Sequence, residues 1–226
     1  NAWEFAGKFP DVLTDPVIGE AASNLYADAR RMLRQMIDGN WVHARAVVGF
    51  FPANARDDDI EVYVDESRTE VLARLHHLRQ QKAKPDGQSH FALADFVSPA
   101  GSGVPDWIGA FAVTAGLGVD DKVREFEARH DDYSAILLKA LADRLAESFA
   151  ERMHQRVRRE FWGYAPEETF TNEELIAESY RGIRPAPGYP ACPDHTEKAT
   201  LWKLLDVKNN AGIDLTDSFA MWPAAS

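Results

Sequence analysis

The stretch that most limits how this chain can fold is Arg184-Pro185-Ala186-Pro187-Gly188-Tyr189-Pro190-Ala191-Cys192-Pro193. Its prolines lack backbone N–H donors and hold φ at about −65°, so neither a helix nor a central strand can run through it. A stiff, irregular ribbon is expected, with few internal partners for its backbone groups. A ligand can take such groups. Arg184 at the head offers a guanidinium fork for a carboxylate, and Tyr189 offers a stacking face for a purine. The backbone beside Gly188 permits close approach, and Glu178 upstream offers a carboxylate to an ammonium or a ribose hydroxyl. The other reading is structural, a cover that seals a sheet edge. The residues alone leave both open.

With 226 residues the chain is long enough for one sizeable domain. It is 45% hydrophobic and 27% charged, an ordinary globular balance. No apolar run approaches the length of a membrane span, and the first residues carry no signal-peptide pattern, so no membrane partner is expected. The single Cys192 excludes an internal disulfide framework and fits a reducing, cytoplasmic setting. It reads as a small buried residue rather than a nucleophile. A net charge of −11 argues against nucleic-acid binding, because a phosphate backbone would be repelled over most of the surface.

Apolar Ile18, Leu25, Met32 and Met36 recur at helical spacing from Pro16 to about Ile37, with Asp15 before the run and Gly39 after it. Ala46–Pro52, Ile60–Val64, Val71–Leu78, Phe91–Val97 and Trp107–Thr114 then read as strands, Val71–Leu78 also fitting a helix. No helix of useful length fits between them, which points to an antiparallel meander rather than βαβ crossovers. The second half reads as helical. Val119–His130 is short, and Asp132–Phe161 is long, with Leu138, Leu141, Leu145, Phe149 and Met153 on one stripe. Thr171-Asn172-Glu173-Glu174 and Asp194-His195-Thr196-Glu197 have capping-box spacing, the second opening a helix through Leu205. Asp217–Pro223 closes the chain as a strand or extended tail. The expected class is a single α+β domain.

Familiar catalytic signatures are missing: there is no Gly-rich phosphate loop, no G-x-S-x-G and no H-E-x-x-H. His76-His77 is a poor metal pair, since adjacent strand residues point to opposite faces. Cys192, Asp194 and His195 can be drawn as a metal cluster, but Asp194 is better explained as a helix cap and only one thiol is present. His130-Asp131-Asp132 fits the positive end of the following helix. Arg152, Arg156, Arg158 and Arg159 form a basic cluster, read as a solvated helix face or as a docking patch for an acidic partner.

At the ribbon the chain also resembles a known family. Glu178-Ser179-Tyr180-Arg181-Gly182-Ile183-Arg184-Pro185-Ala186-Pro187-Gly188-Tyr189-Pro190-Ala191-Cys192-Pro193 is similar to the activation domain of cobalamin-dependent methionine synthase. So are His195-Thr196-Glu197-Lys198, Trp162-Gly163-Tyr164-Ala165-Pro166, His76-His77-Leu78-Arg79-Gln80-Gln81 and Ala94-Asp95-Phe96-Val97. Ile108-Gly109-Ala110-Phe111-Ala112-Val113-Thr114 and Ser218-Phe219-Ala220-Met221-Trp222-Pro223 complete the match, which runs in family order along essentially the whole chain.

The resemblance implies a C-shaped α+β domain with a twisted antiparallel sheet and flanking helices, unlike Rossmann-type methyltransferases. It implies a shallow S-adenosylmethionine groove built on an Arg-x-x-x-Gly-Tyr motif, here Arg184, Gly188 and Tyr189, with Pro185 and Ala186 between them. Such a domain serves a methyltransferase of methionine biosynthesis. It presents S-adenosylmethionine so that cob(II)alamin, held by a neighbouring domain and reduced by flavodoxin or a similar reductase, regains its methyl group. By itself the chain is not expected to make methionine, because the folate, homocysteine and zinc sites belong to other domains. Nor does the resemblance imply a metal site or an acid–base catalyst in this chain. Expected roles are Arg184 for the methionine carboxylate, Gly188 and Tyr189 for the adenine side, and Glu178 for the ammonium or ribose. Glu147 is expected near the groove, and Asp143 as acceptor for the histidine that leaves cobalt; a solvated helix face is the alternative for both. The family's upstream Asp-Trp-x-Pro-Phe type segment and downstream paired tyrosines are not found between Asn1 and Ser226. Residues 1–226 are therefore expected to form one domain shortened at both ends, with a weakened groove. The rival expectation is a non-catalytic module that only docks the cobalamin domain or the reductase. A free-standing small-molecule methyltransferase is disfavoured, since no pattern supplies a substrate base or second pocket.

Overall fold

Asp15 turns the chain into its first helix, its Oδ1 accepting from the Val17 and Ile18 N–H groups at 2.8 and 3.0 Å. These bonds hold the Asp15 carboxyl below its usual range, the Ile18 contact first. In this computed structural model, which describes residues 5–189 and 191–226, the helix is α1 (Gly19–Asp38). Pro190 of the ribbon lies outside the described residues.

The chain divides into two compact units. One takes the residues up to Arg45, Thr114–Phe149 and Pro223–Ser226. Its core joins Met32 and Met36 of α1 to Val123 and Phe126 of α2 (Val119–Glu127) and to Leu138 and Ala142 of α3 (Asp132–Arg156). The expected helices therefore form, and their apolar stripes meet.

The other unit takes Ala46–Val113 and Ala150–Trp222. Its sheet is built from β1 (His43–Arg56), β2 (Asp59–Tyr63), β3 (Val71–His76) and β4 (Asp106–Leu117), in the order β3-β2-β1-β4. β1, β2 and β3 form an antiparallel meander, with Ala55 opposite Ile60 and Ile60 opposite Leu75. Asp57 makes the first reversal at φ 57°. Ala53, Ala55, Ile60, Val62 and Leu75 line one face and pack on Leu201 and Leu204. Those leucines come from the helix that the sequence opens after Asp194. The α+β expectation holds, and Val71–Leu78 is a strand.

Two expectations fail locally. Phe91–Val97 is not a strand; its centre is a 3-10 turn, Leu93–Phe96. Asp95 accepts from the Ala92 N–H at 2.9 Å and pairs with Arg79 at 2.8 Å, and this local capping outweighs the apolar run. The long helix ends as α-helix at Arg156, and a π turn, Val157–Phe161, carries it to the expected stop. After it come α4 (Asn172–Ile176), α5 (Glu197–Leu205) and α6 (Val207–Ala211), then the paired strands β5 (Asp214–Leu215) and β6 (Met221–Trp222).

Candidate functional site

The ribbon follows α4, whose capping box forms as expected: Thr171 Oγ1 accepts from the Glu174 N–H at 3.2 Å, and Glu174 Oε2 from the Thr171 N–H at 2.8 Å. The backbone of the ribbon is less bare than its composition suggests. Gly188 N–H donates to Cys192 O at 2.7 Å, Cys192 N–H to Tyr189 O at 2.8 Å, and Tyr189 N–H to Ala186 O at 3.2 Å. Gly188 sits at φ 102° and reverses the chain, which brings the ribbon's own donors and acceptors together. Tyr189 at the tip is 66% exposed, and Pro185 is exposed while Ala186 is half-buried.

Arg184 donates from Nη2 to Glu151 Oε2 at 3.0 Å. Both side chains keep about a quarter of their surface, 28% and 27%. Arg184 Nε and Glu151 Oε1 are sealed from solvent and have no partner. A fully bidentate fork would leave neither atom free, so the pair is held by one bond.

Beside this pair lies a closed polar cluster. Arg158, wholly buried, donates from Nε and Nη2 to the two oxygens of Glu168 at 2.8 and 2.5 Å and from Nη1 to His154 Nδ1 at 2.6 Å. The Tyr180 ring lies 4.1 Å from its guanidinium carbon and meets the His154 ring edge-on at 4.8 Å. Burial, then the charges of Arg158 and Arg184, push His154 down to about 3, so it stays a neutral acceptor. Burial pushes the Tyr180 hydroxyl up. The expectation of a solvated arginine face is therefore corrected for Arg158. Arg156 does face solvent and pairs with Glu160 at 2.8 Å. Arg152, Arg156 and Arg159 share one side of a helix turning about 100° per residue, and Arg158 lies about 100° or more from each of them, in line with buried His154 and Ala150.

On the other side of the ribbon turn, Lys198 is only 5% exposed and donates to His195 Nδ1 and to Phe219 O, each at 2.9 Å. Burial lowers the Lys198 ammonium. A Cβ at Gly188 would collide with His195 Cε1 and come within 2.7 Å of Nε2, so the turn rests against the imidazole edge. The second expected capping box does not close. Asp194 does not cap the helix as expected: its Oδ1 accepts from the Thr196 N–H at 2.8 Å in a turn just outside it. The N-cap Thr196 makes no side-chain cap bond, and Glu197 is turned inward with Oε2 sealed and unpartnered. Burial pushes the Glu197 carboxyl up. Cys192 is buried, its Sγ 3.9 Å from His77 Nδ1, and burial pushes its thiol up as well, which suits a packed rather than a reactive cysteine. His76 points elsewhere, onto Asp59 at 2.9 Å.

Glu178 is exposed at φ 54°, with no side-chain partner among the described residues. Glu147 is exposed on α3 and paired with Arg144 at 3.0 Å; the α3 carboxylate that meets Arg184 is Glu151, one turn later. Asp143 is exposed and makes no hydrogen bond or ion pair among the described residues. The sequence reading missed Glu151, His195 and Tyr180. Glu151 was within reach, since Asp143, Glu147 and Glu151 repeat at i, i+4 and i+8 on one helix face. A cavity of about 480 Å³ is lined by Asn54, Glu66, Arg68, Val104 and Trp107, but Arg68 already donates to Asn54, Glu66 and Asp106. Among the described residues no group of three or more His, Cys, Asp or Glu side chains is arranged to hold a metal ion, and no helix is long and apolar enough to cross a membrane.

The described residues form a mixed helix-and-strand fold with an antiparallel β1-β2-β3 meander, and the ribbon headed by Arg184 follows α4. The sequence pattern described as "Vitamin B12 dependent methionine synthase, activation domain" matches residues 1–226. The chain belongs to this family, whose members are domains of a cobalamin-dependent methyltransferase. It is also similar to a solved structure, "Crystal Structure of the MetH Reactivation Domain bound to AdoHcy". The two are 57% identical with a TM-score of 0.94, over 99% of this chain and 69% of that one.

Proposed function

We propose that residues 1–226 act as one S-adenosylmethionine-binding domain. It presents the ligand's methyl group to cobalamin on a neighbouring domain of the same enzyme, in the cytoplasm, with the electron supplied by flavodoxin or a similar reductase. The observation that carries this reading is Arg184. It heads the ribbon with a single bond to Glu151, in a chain 57% identical to a domain whose structure holds AdoHcy. A guanidinium that keeps 28% of its side-chain surface and is held by one carboxylate oxygen suits the carboxylate of an amino acid.

The chemistry asks this chain for positioning rather than for proton transfer. The methyl leaves the sulfonium without its bonding electron pair, which stays on sulfur and yields neutral S-adenosylhomocysteine. Reduced cobalamin supplies the nucleophile. The chain's part is to hold both halves of the ligand and expose the methyl. Arg184 takes the carboxylate, Gly188 and Tyr189 the adenine side, and Glu178 the ammonium or ribose, with Pro185 and Ala186 as the floor between and Glu147 near the groove. Asp143, exposed and unpaired, meets the cobalamin domain. The isolated chain binds and presents but does not turn over methionine synthesis.

Calorimetric titration with S-adenosylmethionine, beside an Arg184→Ala control, tests the reading. Saturable binding that the control loses supports it. A folded chain that binds neither S-adenosylmethionine nor S-adenosylhomocysteine would refute it, in favour of a module that only docks protein partners.

A further inference from the structure

We propose that His195 is a ligand-binding residue. Its Nε2–H is a donor of fixed tautomer for an acceptor on the adenosine half of S-adenosylmethionine. The inference rests on the binding reading above and assigns a contact outside the Arg-x-x-x-Gly-Tyr ribbon.

The tautomer follows from the hydrogen bonds. Lys198 Nζ lies 2.9 Å from His195 Nδ1 and 2.9 Å from Phe219 O. An ammonium donates and cannot accept, so Nδ1 must present its lone pair, and the proton of the neutral ring sits on Nε2. Nothing among the described residues accepts from that Nε2–H, although the bond on the other nitrogen fixes the ring. His195 is exposed. A free donor is thus held in one tautomer by a lysine that is itself 5% exposed.

The donor stands at the turn that carries the motif. The imidazole edge occupies the space where any side chain at Gly188 would begin, with Nε2 2.7 Å from an added Cβ. The next residue, Tyr189, offers its ring to solvent at 66% exposure. A purine stacked there brings its ring nitrogens and the ribose oxygens to this end of the ribbon, whereas the ligand carboxylate is matched by Arg184. If His195 were only a strut between Lys198 and Gly188, Nδ1 would suffice and Nε2–H would be idle. The binding role needs Nε2–H, and the two nitrogens can be removed separately.

Asparagine at this position places its amide oxygen near Nδ1 and keeps an acceptor for Lys198, but loses the distal donor. Glutamine reaches the distal position with an amide N–H and gives up the proximal acceptor. Wild type, His195→Asn and His195→Gln are titrated calorimetrically with 5′-methylthioadenosine, which lacks the amino-acid half, and with S-adenosylhomocysteine. The assignment expects His195→Asn to weaken both ligands by the same factor, about 3- to 10-fold, the scale of one neutral hydrogen bond. It expects His195→Gln to retain affinity, and imidazole 15N shifts to report the Nε2–H tautomer. Three results overturn it: unchanged affinity in His195→Asn, equal weakening by both variants, or weakening of S-adenosylhomocysteine alone. An Nδ1–H tautomer does the same. Failure of the wild-type chain to bind S-adenosylhomocysteine overturns the binding reading and this inference together. Wild-type binding with no His195→Asn effect overturns the inference alone.

Discussion

Arg158 and Arg184 belong to the same unit, and the fold treats them in opposite ways. Arg158 has no exposed surface, two bonds to Glu168, one to His154 and an aromatic ring over its face. Arg184 keeps 28% of its side chain exposed, makes one bond and leaves Nε without a partner. A buried cation has to be fully satisfied by the protein, since each missing partner would add a desolvation penalty. A cation that keeps part of its side chain at the surface can still meet something that arrives later through that exposed part, although its Nε is sealed. The first arginine sets which conformation is stable, and the second sets what that conformation can hold. Tyr180 stands beside the first, its ring centroid 4.1 Å from the Arg158 guanidinium carbon.

The sharpest way to break this comparison is Arg158→Met, which strands the Glu168 carboxylate in the interior. Urea unfolding should lose about 3–5 kcal/mol of stability. A loss below about 1 kcal/mol would mean that the cluster does not hold the fold.

Acid provides a second handle. His154 is neutral in the folded chain down to about 3, whereas an unfolded histidine takes a proton near its ordinary value of 6.5. Its contribution is therefore fully present above pH 6.5 and is lost as pH falls toward 3. The slope approaches about 1.4 kcal/mol per pH unit for one proton taken up on unfolding. His154→Asn should flatten that part of the stability curve, and an unchanged curve would remove His154 as its source.

Arg184→Ala should act in the other direction of the comparison. S-adenosylmethionine binding is expected to weaken by about 1.5–3 kcal/mol, while unfolding shifts by less than about 1 kcal/mol because the Glu151 pair is partly exposed. Equal losses in stability and affinity would erase the distinction between the two arginines. Gly188→Ala imposes a side chain at φ 102° against His195, and a melting series should show about 1–3 kcal/mol of destabilisation. The smallest effect is expected from Asp143→Asn, within about 0.5 kcal/mol in the isolated chain. In the intact enzyme it should alter how the cobalamin histidine comes off cobalt, followed by the base-on and base-off absorption bands.

The fold was legible where one rule governed a whole segment. The stripe of Met32 and Met36 and the alternation of Ile60 and Val62 needed no tertiary information. Phe91–Val97 misled because a single carboxylate, Asp95, folds its own backbone into a turn, and its partner Arg79 is distant in sequence. Arg158 misled for another reason: it was grouped with the neighbouring arginines, whereas the ladder Ala150, His154, Arg158 at i, i+4 and i+8 already puts it on the buried side, where it meets Glu168. In the site, Arg184, Gly188 and Tyr189 could be read as a motif. Glu151 continues the spacing of Asp143 and Glu147 on α3, but its choice of Arg184, like the contact of His195 with Lys198, is made only after the chain has folded.

The π turn at Val157–Phe161 has a consequence of its own. Trp162 N–H reaches back five residues to Val157 O at 2.9 Å, so the turn contains one residue more than an ordinary helix would need. That residue works as a frame shift in space. Delete it, and every later side chain of the helix swings by about 100° about the axis. Trp162, just past the turn, would leave Phe50, whose ring it meets at 5.1 Å. A shortening of one amino acid here would damage the fold more than the loss of a longer piece of an exposed loop.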